Sequence, residues 1–503
     1  MRLTDLISTL NPLKVYGASA PTVAGICYDS RRVVAGDAFF ALPGTHTDGR
    51  HFIAEAIARG AAVIVAEVEI DLPGTVTGIV VENARLAMAH AAAARFNHPT
   101  RDVPVIGVTG TNGKTTVTYL LESILRAAGY RPAVLGTVNY RFEQEQRPAP
   151  HTTPEAVDLL GTFSDFRAQG ADTLIIEVSS HALTQHRVSG VEFTVGVFTN
   201  LTPEHLDYHQ DMEHYFAAKR ILFSALLAQS GGRSVVNGED PFGARLAREI
   251  GAFITCGAGG NVSLHDAEIS LDGIRGTLRT PTGEAPLSSR LLGDFNRSNI
   301  ECAAGAAVAL GIAAETIAAG IRAARQVPGR LERIENTLGA EILVDYAHTG
   351  DALEQVLKTL RKLQPRRLLA VFGCGGDRDK KKRPVMGECV ARYADLAILT
   401  SDNPRSEDPE AILHDVRRGV ERVHDHELTV DEARSGGNRG YLSFVDRRAA
   451  IEFAVSLLKP GELLLIAGKG HEDYQLIGGE RRHFDDREEA RAALARREMK
   501  RCS

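Results

Sequence analysis

Cysteine is sparse and unpatterned: six in 503 residues, with no CxxC. Neither a disulfide framework nor a zinc site is indicated. Strongly apolar runs are missing as well. The first twenty residues carry charge and proline in place of an apolar signal core. The most membrane-like stretch, "CAAGAAVALGIAAETIAAGI" (302–321), is alanine-rich and interrupted by Glu315. A span needs roughly 18 or more strongly apolar residues, so this stretch reads as a packed helix and no membrane span is expected. A cytoplasmic protein is the simplest expectation. Net charge is −6, which leaves no electrostatic footprint for nucleic acid. The only dense basic run, "DRDKKKRP" (377–384), reads as a solvated loop, or as a site for an anionic ligand. No internal repeat or low-complexity segment is visible, and no Asn-Lys-x-Asp tetrad that would read guanine.

What is present begins with "GVTGTNGKTT" (107–116). The preceding "VPVIGVT" is apolar and β-branched, as a buried strand should be. After it, Val117, Leu120, Leu121, Ile124, Leu125 and Ala128 fall at the spacing of one helix face. Strand, glycine turn and helix are the context in which backbone N–H groups cradle phosphate oxygens, Lys114 supplies a point charge and Thr115 can ligate Mg²⁺. The usual spacing puts a glycine five residues before Gly113; Val108 stands there, with glycines at Gly107 and Gly110.

At 503 residues the chain should hold two to four domains. Strands and short helices fill the first hundred residues ("AFFALPG", "FIAEAIARGA", "AVIVAE"), and "NHPTRDVP" reads as a linker. From 103 to about 330, strands such as "TLIIEVSS", "VGVFTNL" and "RSVVNGE" alternate with helical segments, which predicts a mostly parallel sheet. A third block from about 335 has four strands, "EILVDYAH", "RLLAVFGCGGD", "LAILTSDNPR" and "ELLLIAGKGHE", each ending in polar or glycine-rich residues. Ligands of open α/β sheets sit beyond such carboxyl ends, so a second binding face is expected there.

Glu177 lies where the apolar "TLIIEVSSH" strand runs out, and a carboxylate there can hold Mg²⁺ opposite Thr115. "FTNLTPEHLDYHQDMEHYFAAKRILF" follows another apolar strand and offers His205, His209 and His214. His205, nearest the strand end, is the best metal candidate of the three. Lys219 reads as an ordinary exposed helix lysine on pattern alone.

The ordered set "GTNGKTT", "EVSSHALTQHR", "TNLTPEHLDYH", "YFAAKR", "GDFNRSN", "PGRLE", "DYAH", "GDRDKKKRP", "DNPR" and "GKGHE" resembles the Mur ligases from about residue 25 onward, and most nearly the branch that adds the third residue of the peptidoglycan stem peptide. Val108 fits that likeness, because the family uses the form Gly-Thr-Asn-Gly-Lys-Thr. The resemblance implies an α/β protein of three domains: a uridine-nucleotide domain (1–100), a central phosphate-loop ATPase with a mostly parallel sheet (101–334), and a Rossmann-like amino-acid domain (335–503). It implies ATP and Mg²⁺ as cofactors and an amide ligation through an acyl phosphate. Its substrates would be UDP-N-acetylmuramoyl-L-alanyl-D-glutamate and a diamino acid, and a monomer is expected.

Position by position, the resemblance implies ATP contacts from Gly110, Thr111, Asn112, Gly113, Lys114, Thr115 and Thr116. Asn296 and Asn299 would meet the adenine, Arg330 the γ-phosphate and Asp345 the ribose, with His348 nearby. Thr115, Glu177, His205 and Lys219 would hold metal, Lys219 as the carbamate it forms with CO₂; Lys114, Lys219 and His205 would be catalytic. Tyr28, Ser30, Thr45, His46, Thr47, His151, Thr152, Thr153, Ser179, Gln185 and Arg187 match the UDP-muramoyl-dipeptide site. Arg378, Asp402, Asn403, Pro404, Arg405, Gly468 and Glu472 match the amino-acid site.

The third amino acid is expected to be meso-diaminopimelate. Arg405 lies just past a strand end, and a guanidinium fork suits its second carboxylate, while "DNPR" marks the family's diaminopimelate-adding members. Two alternatives stay open: an L-lysine-adding ligase of the same family, and a ligase like folylpolyglutamate synthetase, which shares the ATPase core but does not explain "DNPR" together with "GKGHE". A phosphate-loop switch or motor fits poorly without a guanine-reading tetrad or a basic surface.

Overall fold

Burial on both faces decides the pairing of the strands around the phosphate loop. Val105–Thr109, Thr173–Glu177, Val195–Phe198 and Pro132–Leu135 are buried along their whole length. Such strands pair in parallel under flanking helices. The computed structural model describes residues 1–18, 22–44, 47–436 and 439–502. In it the central sheet runs Ile254–Cys256, Arg233–Asn237, Val195–Phe198, Val105–Thr109, Thr173–Glu177, Pro132–Leu135, Asn139–Phe142, Glu145–Pro148. Its first six strands are parallel, and the last two return as antiparallel edge strands.

A five-stranded sheet precedes it, in the order Lys14–Gly17, Thr77–Val80, Val63–Ala66, Ala38–Phe40, Ile26–Cys27. All its pairs are parallel except the outermost, Lys14–Gly17 with Thr77–Val80. The third sheet orders Glu332–Arg333, Glu341–Asp345, Leu463–Ala467, Leu368–Cys374, Leu396–Ser401 and Gly440–Phe444, parallel beyond its first short strand. Residues 1–267, 276–288 and 295–324 form one compact unit; 268–275, 289–294 and the chain from Arg325 onward form a second.

Two expectations are corrected here. The alanine-rich stretch is not one helix but parts of two, Asp294–Ala309 and Ala314–Ala323. Gly311, at φ 84°, turns the chain between them, a conformation that glycine takes without strain. Glu315 sits in the first turn of the second helix, where a carboxylate faces the positive end of the helix dipole. The basic run is not wholly solvated. Arg383 is only 2% exposed, because its guanidinium is bonded to Glu407 at 2.7 and 3.0 Å and to Asp415 at 3.0 Å. No described helix is long and apolar enough to cross a membrane.

Candidate active site

Strand Val105–Thr109 ends in the loop that feeds helix Lys114–Ala127. Val108 is a fully buried strand residue, in register with Glu177 on one side and Val197 on the other. The glycines the loop requires are the two that follow. Gly110, at φ 148°, lies where a Cβ would come within 1.9 Å of Thr199 Oγ1; Gly113, at φ 86°, where it would meet Asn299 Oδ1 at 2.2 Å. The neighbouring strand end fixes the loop's shape. Thr199 Oγ1 donates to the Asn112 carbonyl at 2.6 Å, and Asn200 Oδ1 accepts the Asn112 N–H at 2.9 Å. Lys114 Nζ reaches back over the loop to the Gly110 and Thr111 carbonyls at 2.9 and 2.8 Å. Thr116 is buried behind it, and Asn299, bonded to Asn296 at 2.8 Å, closes the side next to Gly113.

Thr115 Oγ1 donates to Glu177 Oε2 at 3.1 Å. Glu177 also accepts the Thr137 N–H at 3.1 Å and the Thr137 hydroxyl at 2.8 Å, and Thr137 in turn meets Thr152 at 3.1 Å. A hydroxyl and a carboxylate converge here, hard oxygen donors of the kind Mg²⁺ takes while keeping most of its waters. Among the described residues, no group of three or more His, Cys, Asp or Glu side chains forms a cage.

Lys219 is not an exposed helix lysine. It is 1% exposed, donates to the Gly110 carbonyl at 2.8 Å, and stands 4.6 Å from the Tyr215 ring centroid. Burial, and then the neighbouring Lys114 charge, push its amine well below the ordinary lysine range. Immediately beyond it the helix widens into π turns over Leu222–Leu227, a loosening often found at functional sites. His205, in the left-handed region at φ 57°, packs edge-on to His181 with ring centroids 4.9 Å apart. Burial first, then Lys114 and Lys219, depress its pKa against the opposing pull of Glu204. His209 Nε2 meets Ser180 Oγ at 2.9 Å, and burial holds it down at about 4. His214 is exposed and pairs locally with Asp211 at 2.9 Å.

The residues matched to the muramoyl-dipeptide arm form a second cluster in the same unit. Thr153 Oγ1 donates to the Glu177 carbonyl at 2.7 Å and meets Ser179 Oγ at 3.4 Å. Arg187 donates to the Thr153 carbonyl at 2.9 Å and to Gln185 Oε1 at 2.8 Å. Glu155 holds Arg187 at 3.1 Å and, from the first sheet's side, Arg85 at 3.0 Å. Tyr28 is hydrogen-bonded to Asp158, and Ser30 Oγ donates to Glu55 at 2.7 Å. Thr47 and His151 are exposed, and the His151 carbonyl accepts the Tyr140 hydroxyl at 2.6 Å. Thr45 and His46 lie outside the described residues.

In the second unit, strand ends gather as the sequence predicts. Asp345, at the end of Glu341–Asp345, accepts the Leu331 and Ala347 N–H groups, both at 2.8 Å; burial raises its carboxyl against that help. Arg330 lies 4.6 Å from the Tyr346 ring centroid, and His348 packs edge-on against the same ring. Asn403 Nδ2 donates to Glu472 Oε2 at 3.1 Å, while Asn403 Oδ1 accepts the Leu476 N–H at 3.0 Å. Arg405 Nη1 donates to the Gly376 carbonyl at 2.6 Å, and the Pro404 carbonyl accepts the Glu407 N–H at 3.0 Å. Gly468 donates its N–H to the Asp345 carbonyl at 3.1 Å. Arg378 is exposed, on the loop next to Asp377 and Ser406.

Comparison with known proteins decides the family. Residues 22–102 match the Mur ligase family catalytic domain, 108–307 the Mur ligase middle domain, and 329–470 the Mur ligase glutamate ligase domain. A UDP-N-acetylmuramoyl-L-alanyl-D-glutamate–2,6-diaminopimelate ligase from Geobacter metallireducens is 50% identical over 502 residues, covering 98% of both chains. The chain belongs to the Mur ligase family. A protein of the same name from Geobacter sulfurreducens is 49% identical over 98% of this chain and 99% of its own. A solved structure, also of a UDP-N-acetylmuramoyl-L-alanyl-D-glutamate–2,6-diaminopimelate ligase, superposes with a TM-score of 0.68 at 34% identity, covering 96% of this chain and 97% of that one.

Within this Mur ligase, four residues that pattern reasoning did not single out support these clusters, three in the first unit and one in the second. Thr137 shares Glu177 with Thr115, Glu155 bridges Arg85 and Arg187, Tyr215 walls the Lys219 amine, and Lys469 lies beneath the Asp402–Glu472 cluster. Lys469 had a usable signal, since it stands between two glycines at a strand end. The other three had none.

Proposed function

We propose that this chain is an ATP-dependent amide ligase that joins meso-diaminopimelate to UDP-N-acetylmuramoyl-L-alanyl-D-glutamate in the cytoplasmic assembly of peptidoglycan precursors. One observation carries the reading: Arg405 and the Asp402–Asn403–Glu472 cluster stand beyond the ends of the two strands that flank Leu368–Cys374, with Asn403 and Arg405 both bonded to the backbone of Leu476. A guanidinium and two carboxylates carried on these loops are complementary to an amino-acid end that carries both a carboxylate and an ammonium. The sequence of a half-identical relative named for that amino acid supports it.

The chemistry runs in two steps. An oxygen of the glutamate carboxylate attacks the γ-phosphorus of ATP, and ADP leaves. The amine of the incoming amino acid then attacks the acyl carbon, loses a proton and expels inorganic phosphate. Lys114, held over the loop, would follow the charge of the transferring phosphoryl group, with the N–H groups of Gly110–Thr116 around it. Thr115 and Glu177 would hold Mg²⁺, with His205 and carbamylated Lys219 as further ligands; when bound it would supply positive charge against the phosphate oxygens. A buried, neutral Lys219 amine is the form that attacks CO₂, and loss of a proton leaves an anionic carbamate.

Thr153, Ser179, Gln185 and Arg187 would grip the dipeptide arm, and Tyr28, Ser30 and Thr47 the uridine nucleotide. The assignments of Asn296, Asn299, Arg330, Asp345 and His348 to ATP, and of 1–100, 101–334 and 335–503 to nucleotide, ATP and amino-acid domains, rest on the family resemblance. Phosphate release with the UDP-dipeptide and either meso-diaminopimelate or L-lysine tests the reading. A site that bonds a substrate group rejects an analogue lacking it by roughly 10⁴, so L-lysine should be a very poor substrate. Comparable kcat/KM for the two would overturn the assignment.

A further inference from the structure

Lys469 is a lysine with no exposed surface, placed directly under the two carboxylates of the second unit's strand ends. Its Nζ lies 3.3 Å from Asp402 Oδ1, 3.2 Å from Asn403 Oδ1 and 3.5 Å from Glu472 Oε2. The Tyr474 ring, 5.4 Å away, closes another side. The carboxylates remain partly open, with side-chain exposures of 12% for Asp402 and 20% for Glu472. The ammonium also sets the Asn403 amide: with Oδ1 turned to Lys469, Nδ2 is left to donate to Glu472 at 3.1 Å. A buried ammonium is costly unless it is paired, so an amine held here needs a reason in the site above it.

The charges supply one. Asp402 and Glu472 carry two negative charges and Lys469 one positive charge; Arg405, which acts with both carboxylates on the shared Tyr474 ring, brings a second positive charge. Arg447, which also feels Asp402 and Glu472, is neutralised by Asp486 at 2.7 Å. The set is therefore neutral, and it matches a ligand end that is itself neutral overall, an ammonium and a carboxylate on one carbon. A bare ammonium end would leave an unmatched positive charge. Without Lys469 the set would carry one negative charge, and the bare ammonium would become the matched ligand.

We propose that Lys469 is a specificity-determining positioning residue whose buried ammonium balances Asp402 and Glu472 and so tunes the site to a zwitterionic amino-acid end over a simple amine. The inference rests on the reading of this cluster as the amino-acid site. Burial raises the Glu472 carboxyl and Lys469 draws it back down, in keeping with that role.

The test is the ratio of kcat/KM for meso-diaminopimelate to that for L-lysine, measured by phosphate release on the full chain at saturating ATP and UDP-dipeptide. Removing one partner of a buried charged pair commonly costs a factor of about 30 or more. Lys469→Met should lower the ratio by that order, and adding Glu472→Gln to it, which restores neutrality, should return the ratio toward the native value. Asp402→Asn alone should move the ratio upward, so the inference is decided even if Lys469→Met fails to fold. A merely structural lysine would depress turnover with both amino acids alike. An unchanged ratio in Lys469→Met, no recovery in the double variant, or a ratio unchanged or lowered in Asp402→Asn overturns the proposal. No preference for meso-diaminopimelate in the native enzyme would instead defeat the functional reading beneath it.

Discussion

Glu301 should make the stability of the first unit pH-dependent, with a sign opposite to that of an ordinary paired carboxylate. It lies on helix Asp294–Ala309, two residues past Asn299, and is 1% exposed. One oxygen accepts the Leu264 N–H at 2.8 Å; the other is buried with no hydrogen-bond partner among the described residues. Burial pushes the carboxyl up to about 7 from an ordinary 4.5, with only partial relief from Arg297. Below 4.5 both the folded and unfolded chains hold the proton, and the group adds no pH dependence. Between 4.5 and 7 the unfolded chain releases it while the folded chain keeps it, so stability falls as pH rises. At about 1.4 kcal/mol per unit, the full window is worth about 3 kcal/mol.

Glu301→Gln keeps the acceptor for Leu264 and removes the titration. Any packing or amide cost is then a constant offset, and the gain over the native chain should grow by about 2.5 kcal/mol from pH 5 to pH 8. The chain has no tryptophan, so urea unfolding followed by far-UV circular dichroism at the two pH values is the suitable assay. An offset equal at both pH values would refute the reasoning, because it would mean that Glu301 is not held protonated by the fold.

The other predictions concern single side chains. Lys114→Ala should keep the fold and lose about 10²–10³ in turnover, as the removal of one electrostatic stabiliser does; near-normal phosphate release from the folded variant would remove its assignment. Lys219→Ala should be almost inactive, with partial recovery when short carboxylic acids are added to the buffer; wild-type activity would return it to an ordinary helix lysine. Arg447→Met should cost about 3–5 kcal/mol of stability, because it strands a buried Asp486, and adding Asp486→Leu should recover most of it. Equal losses in the single and double variants, by denaturant titration, would count against a paired charge.

Much of this fold is readable from apolar runs and from where they stop. "TLIIEVSS" and "EILVDYAH" announce buried strands, and the residues at which they turn polar, Glu177 and Asp345, sit at the strand ends in the structure. The phosphate loop is legible for the same reason, since strand, glycine and amphipathic helix are each local patterns. The break at Gly311 is not. Alanine-rich sequence on both sides of it is equally helical, and whether one glycine is bridged or used as a turn depends on what each half packs against. The cluster Ala285, Ala314 and Ala318 shows one such surface.

Charge burial is the part that local pattern could not supply, and the reason is sequence distance. Lys219 is answered by a carbonyl 109 residues earlier, Lys469 by a carboxylate 67 residues earlier, Arg447 by one 39 residues later, and Arg383 by one 24 residues later. A helical or strand period predicts which apolar residues turn inward, because burial alone satisfies them. A charged residue turns inward only where topology delivers a partner, and that depends on strand order. In the parallel sheets here, consecutive crossovers bring distant loops to the same carboxyl edge, so polar groups that are strangers in sequence become neighbours. Arg447, bonded to the Ala467 carbonyl at 2.9 Å as well as to Asp486, shows the consequence. It anchors the strand end from which Gly468, Lys469 and Glu472 project, and the ion pair sets the geometry of the loop that carries the proposed amino-acid site.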